Sequence, residues 1–142
     1  MKENLPHLFV YGSLRSGFRH PAYDYISRYF TLVGDAKVKG YLYDMGNYPV
    51  AAPTQDKAFI VGELYVLNNE NEFSWAMAQL DDYEGINADE GEVAMYRREP
   101  VSVFINNATV DAWIYWYNGD VSNHPIVASG DVLQFIQQKS KI

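Results

Sequence analysis

Two short stretches of this chain carry residue types that could do chemistry together. The first is Tyr11-Gly12-Ser13-Leu14, directly behind the apolar run Leu8-Phe9-Val10. A buried strand that ends in a glycine turn can aim several backbone N–H groups at one point, which makes a nest for an anion. The second is Leu80-Asp81-Asp82-Tyr83-Glu84-Gly85, where an acidic helix end supplies carboxylates. An anion cradle beside one well-placed carboxyl outlines a site at which that carboxyl moves a proton.

Helical phase separates the three acids. With Phe73 as reference and about 100° per residue, Met77 and Leu80 fall within roughly 40° of it. Glu84 returns to roughly 20°, while Asp81 lies near about 80° and Asp82 near about 180°. Glu84 is therefore the acid that projects along the apolar stripe if the helix holds that far. A carboxyl so placed is costly when charged, and its pKa is expected to rise toward the range useful for proton transfer. The other arrangement stays open at this point: the last turn frays and Glu84 sits at the surface.

The elements that must position these residues are readable from periodicity. Residues 7–11 read as a short buried strand, 12–20 as a turn-rich loop, and 21–30 as a helix with Pro21 in its first turn. In 31–45, Ala36, Val38, Gly40 and Leu42 alternate with Lys37, Lys39, Tyr41 and Tyr43, the pattern of a strand with one buried face. Gly46-Asn47-Tyr48-Pro49 is expected to break it. A strand over 59–67, a capping turn at 68–71 and a helix over 72–83 ended by Gly85 follow. Two β-rich runs, 93–105 and 109–117, flank a hairpin turn at Asn106-Asn107. Residues 118–125 read as loop, and Asp131 in Ser129-Gly130-Asp131 is expected to brace a helix-like tail. Mixed order with hairpins predicts an α+β fold, a small mixed β-barrel with flanking helices, and one domain over 1–142.

Composition narrows the function classes. The chain has 142 residues, 48% hydrophobic and 20% charged, which is an ordinary globular balance. A net charge of −7 and scattered basic residues argue against a nucleic-acid partner. With no cysteine, thiolate catalysis, disulfides and Cys-ligated zinc are excluded. His7, His20 and His124 lack a metal-ligand spacing, so no metal is expected. Gly12 and Gly17 have the spacing of a phosphate loop, but Phe18-Arg19 follows where Lys and Ser/Thr are needed. Ser13 lacks the Gly-x-Ser-x-Gly context of a hydrolase. No apolar run suits a signal peptide or a membrane span, so no membrane partner and a cytoplasmic location are expected.

The whole series of motifs resembles the γ-glutamylcyclotransferase superfamily, also called AIG2-like, and within it the γ-glutamylamine cyclotransferases. The matching residues are Phe9-Val10-Tyr11-Gly12-Ser13-Leu14-Arg15 with Gly17, Gly40-Tyr41-Leu42-Tyr43-Asp44 with Tyr48-Pro49, and Gly62-Glu63-Leu64-Tyr65. Leu80 to Glu84, Tyr96-Arg97-Arg98, Ala112 to Tyr117 and Ser129-Gly130-Asp131 complete them. The resemblance implies a substrate-binding turn at Tyr11, Gly12, Ser13 and Leu14, and a catalytic acid/base at Glu84. Tyr117 ends the last strong strand, where it would line the pocket or pack in the core. The implied reaction converts a small-molecule γ-glutamyl amine or amide to 5-oxoproline and free amine, with no cofactor. Two other readings stay open: the same scaffold acting on γ-glutamyl peptides or a γ-glutamyl-protected intermediate, and a carboxylate-binding module without turnover.

Overall fold

A computed structural model describes residues 5–11, 27–45, 49–84, 96–127 and 129–132, with the side chains of 79–84 outside the described set. Among the described residues there are six strands: β1 (His7–Val10), β2 (Phe30–Asp44), β3 (Pro49–Pro53), β4 (Phe59–Leu67), β5 (Tyr96–Ile105) and β6 (Ala108–Tyr117). Their order is β3-β2-β4-β1-β6-β5, and a further pairing between β2 and β5 joins the ends. The result is a closed five-stranded mixed barrel, with β3 as an added strand and few helices, an α+β architecture as the sequence predicts. Only β1 and β6 run parallel among these pairings, with Leu8 opposite Trp113; the others are antiparallel.

Side-chain alternation explains how the sheet closes around two apolar layers. In β2, Ala36, Val38, Gly40 and Leu42 are buried while Lys37 and Lys39 are exposed. The first set joins Phe9, Ile60, Leu64, Val103, Ile114 and Trp116 inside the barrel. The opposite face of β1, β4 and β6 gives Leu8, Val10, Tyr65, Leu67 and Tyr115 to a second, outer cluster. Full burial of side chains such as Leu8 or Ile60 contributes about 1.5–3 kcal/mol each.

The outer cluster is covered by a helix, Phe73–Glu84, which sets Ala76 and Met77 against it. A 3₁₀ turn, Glu70–Glu72, leads in, and Asn69 caps it by accepting from the Asn71 N–H at 2.9 Å. The Leu67 N–H at the end of β4 donates to the Pro6 carbonyl at 2.7 Å, which ties the chain before β1 to this end of the barrel. Among the described residues, no helix is long and apolar enough to cross a membrane.

One sequence expectation needs correction, and one strand went unpredicted. Phe30 opens β2 and packs in the outer cluster, rather than closing a helix. Residues 27–29 are helical, and the remainder of the expected 21–30 helix lies outside the described residues. β2 ends at Asp44, ahead of the expected break, and Pro49 begins β3, a strand absent from the sequence reading, where it pairs with Asp44. Proline is tolerated at such a strand start because no ladder N–H is needed there.

Candidate active site

Strand polarity decides which residues can meet. Because β1 and β6 are parallel, both leave the barrel at one rim: β1 at Val10–Tyr11 and β6 at Tyr117. The strands β4 and β5 run the other way, so Phe59 and Tyr96 enter at that same rim. The helix Phe73–Glu84 starts after Leu67, at the opposite rim, and the next described residue is Tyr96, at the start of β5. Helical geometry continues to Glu84.

Tyr11 sits half-buried where β1 ends, packed against the interior cluster beside Phe9, with ring centroids 6.5 Å apart. Its hydroxyl donates to the carbonyl of Tyr115 on β6, a bond that bridges the two parallel strands beyond their pairing at Leu8 and Trp113. Gly12, Ser13 and Leu14 follow directly and lie outside the described residues, as does the side chain of Glu84.

Tyr117 occupies the same rim on the opposite side of the sheet. Its ring meets Tyr96, its partner across the β5–β6 ladder, edge-on at 5.7 Å. Arg97 holds the chain just beyond: Nη1 donates to the Tyr117 carbonyl and to Asn118 Oδ1, each at 3.1 Å, and Nε pairs with Glu99 at 3.1 Å. The segment after β6 then crosses to β2, where the Asp44 N–H donates to the Pro125 carbonyl at 2.8 Å and the Val127 N–H to the Leu42 carbonyl at 2.7 Å. Within it, the backbone N–H of Ser122 donates to Asp120 at 2.9 Å, and that bond holds the Asp120 carboxyl below its ordinary pKa. Periodicity alone did not single out Tyr96, Arg97 or Gly119 as neighbours of Tyr117. A glycine two residues past a strand-ending aromatic was the available signal.

Glu63, on β4 opposite Val10, is a buried carboxylate on the outer face. Tyr65 donates its hydroxyl to Glu63 Oε1 at 2.9 Å. At Ser129-Gly130-Asp131 the chain docks on β4: the Val61 N–H donates to the Gly130 carbonyl at 2.8 Å, and Gly130 takes φ +65°. The Asp131 N–H donates to Ser129 Oγ at 3.3 Å. Two concavities, of about 370 Å³ beside Pro6, Leu67 and Phe73 and about 670 Å³ beside Lys37, Phe104 and the Asn106-Asn107 turn, do not include Tyr11 or Tyr117. Among the described residues, no group of three or more His, Asp or Glu is placed to hold a metal ion.

Comparison with known proteins agrees with this architecture. A protein of Methanocaldococcus jannaschii, provisionally named a gamma-glutamylcyclotransferase, is 30% identical over 130 residues, covering 89% of this chain and 95% of its own. Among solved structures, an AIG2-like protein from mouse superposes with a TM-score of 0.61 at 20% identity, over 87% of this chain and 86% of that one. The YkqA protein of Bacillus subtilis superposes with a TM-score of 0.70 at 22% identity over 96% of this chain, which spans only 43% of that larger protein. The family described as gamma-glutamyl cyclotransferase, AIG2-like, matches residues 8–134. On that match, which takes in every strand from β1 to β6 and the helix ending at Glu84, the chain belongs to the AIG2-like gamma-glutamyl cyclotransferase family.

Proposed function

We propose that this protein is a cyclotransferase that releases 5-oxoproline and a free amine from a γ-glutamyl amine or amide. The family match over residues 8–134 carries this reading, since one continuous match contains both the Tyr11–Leu14 run and Glu84. Two features of the backbone support it. The helix remains regular to Glu84, whose position falls within about 30° of the bisector of buried Ala76 and Met77. The next described residue after Glu84 is Tyr96, on the rim where β1 delivers Tyr11.

The chemistry divides among these residues as follows. Backbone N–H groups of Gly12, Ser13 and Leu14 hold the α-carboxylate of the glutamyl half, with glycine permitting close approach. So held, the substrate is folded with its α-amine near its δ-carbonyl, which supplies proximity. Glu84 takes a proton from the α-amine as the new C–N bond forms. It then returns that proton to the departing amine nitrogen as the original C–N bond breaks. Protons and charge balance within the pair, and the carboxylate is regenerated.

The decisive variant is Glu84→Gln, which keeps the shape and removes the titrating group. Turnover of a γ-glutamyl amide, followed as 5-oxoproline by mass spectrometry, is expected to fall by about 10²–10⁴-fold. A Glu84→Gln protein with the wild-type rate would remove the proton carrier from the proposal.

A further inference from the structure

The ring of Tyr117 is bordered by Tyr96 and by Gly119. Tyr96 meets it edge-on, with an interplanar angle of 68°. Gly119 lies against its hydroxyl end: a Cβ at position 119 would stand 2.5 Å from the Tyr117 ring carbon Cε2, 2.5 Å from its phenol oxygen and 2.6 Å from Cζ. Carbon atoms in ordinary contact stand about 3.5–4.0 Å apart, so even a methyl group at 119 is incompatible with the present ring position.

Something must yield, and the backbone is the stiffer partner. Arg97 binds the chain on both sides of the peptide joining Tyr117 to Asn118. Farther on, Pro125 and Val127 are bonded to β2. With both ends of this strap tied down, the Tyr117 side chain is what turns.

The geometry points to Gly119 as a positioning residue that sets the Tyr117 phenol at the barrel mouth, and through it the selectivity for the leaving amine of a γ-glutamyl substrate. This deepens the cyclotransferase reading above and rests on it. Every γ-glutamyl substrate shares the acyl half, so discrimination has to come from whatever meets the amine. That half departs toward the rim, where Tyr117 is partly exposed and offers an aromatic face to an alkyl or ammonium chain.

Steady-state kinetics on γ-glutamyl methylamide and γ-glutamyl butylamide test the assignment with wild type, Gly119→Ala, Tyr117→Ala and the double variant. Gly119 is exposed and has no positive φ, so alanine there is compatible with the fold; melting curves verify it. Gly119→Ala is expected to raise KM for the butylamide about tenfold, the scale of one misplaced methylene in a pocket, and to change the methylamide less. Tyr117→Ala is expected to raise the butylamide KM as well. In that background Gly119→Ala should add nothing, because its effect passes through the missing ring. An unchanged butylamide KM in Gly119→Ala, or the same increment with and without the ring, overturns the inference while the wild type still turns over both amides. A wild type that turns over neither amide sinks the cyclotransferase reading, and this inference falls with it.

Discussion

A hydroxyl at position 65 and a carboxyl at position 63 are paired inside the protein. Both are buried on the outer face of β4, and the Tyr65 hydroxyl donates to the Glu63 carboxyl at 2.9 Å. Carboxylates are almost never found at such depth without a donor, since removal from water costs several kcal/mol. Glu63→Ala takes away the acceptor used by Tyr65 and leaves a gap, at a cost of about 1–3 kcal/mol. Glu63→Gln keeps an oxygen in reach of that hydroxyl and should cost clearly less. Urea unfolding of the two variants measures the difference, and equal losses would mean that the bond to Tyr65 is not what stabilises this corner. Tyr11 illustrates the same rule at the rim where β1 ends. A phenyl would fill the space beside Phe9, but the phenol also donates to the Tyr115 carbonyl and so links β1 to β6.

Elements differ in how much of themselves they write into local sequence. The β2 strand was legible because Lys37, Lys39, Tyr41 and Tyr43 alternate with small and apolar residues, and burial follows that alternation. The hairpin was legible for a different reason: Asn106 and Asn107 both adopt positive φ, 49° and 66°, as a two-residue primed turn requires. Asn106→Val should therefore cost about 1–2 kcal/mol by forcing a β-branched residue into the left-handed region. Thermal melts can read that loss, whereas a neutral outcome would argue that the turn relaxes to another type. The β3 strand was illegible because Pro49-Val50-Ala51-Ala52-Pro53 has prolines at both ends, and its pairing with β2 is a tertiary fact. Phe30 was misread because its spacing from Tyr23 and Ile26 suits a helix, while its burial beside Leu67 makes it strand. Of the candidate site, the Tyr11–Leu14 run and the phase of Glu84 are expectations from local pattern, and residues 12–14 and the Glu84 side chain lie outside the described residues. The packing of Gly119 against Tyr117 joins a loop to a ring, and the approach of Arg97 crosses a strand pair. Neither leaves a periodic trace.

At the level of the whole barrel, the strand pairings are unequal, and that inequality sets where the molecule opens. The β2–β4 ladder continues from Phe30 to Lys39 with one irregularity between Leu32 and Gly34, and β5–β6 pairs along its full length from Tyr96 to Ile105. By contrast, β2 meets β5 at a single register pair, Lys37 with Phe104, as β1 meets β6 at Leu8 with Trp113. The β2–β5 seam is reinforced by side chains: Phe104 packs edge-on against Phe59 at 5.7 Å, and the Lys37 ammonium lies 4.6 Å above the Phe59 ring. Local opening costs least where few buried contacts and few ladder bonds must be broken together. Native-state hydrogen exchange should therefore find amides flanking Lys37 and Phe104 on the facing edges of β2 and β5 less protected than those of Leu64 and Ile114. Those two residues are fully buried in the centres of β4 and β6. Phe104→Ala should widen the gap by removing the edge contact, raising exchange at the seam while Leu64 and Ile114 move only with global stability. If seam and centre exchanged at one common rate in both proteins, the barrel would open as one cooperative unit and its closure would owe little to the Phe59–Phe104 contact.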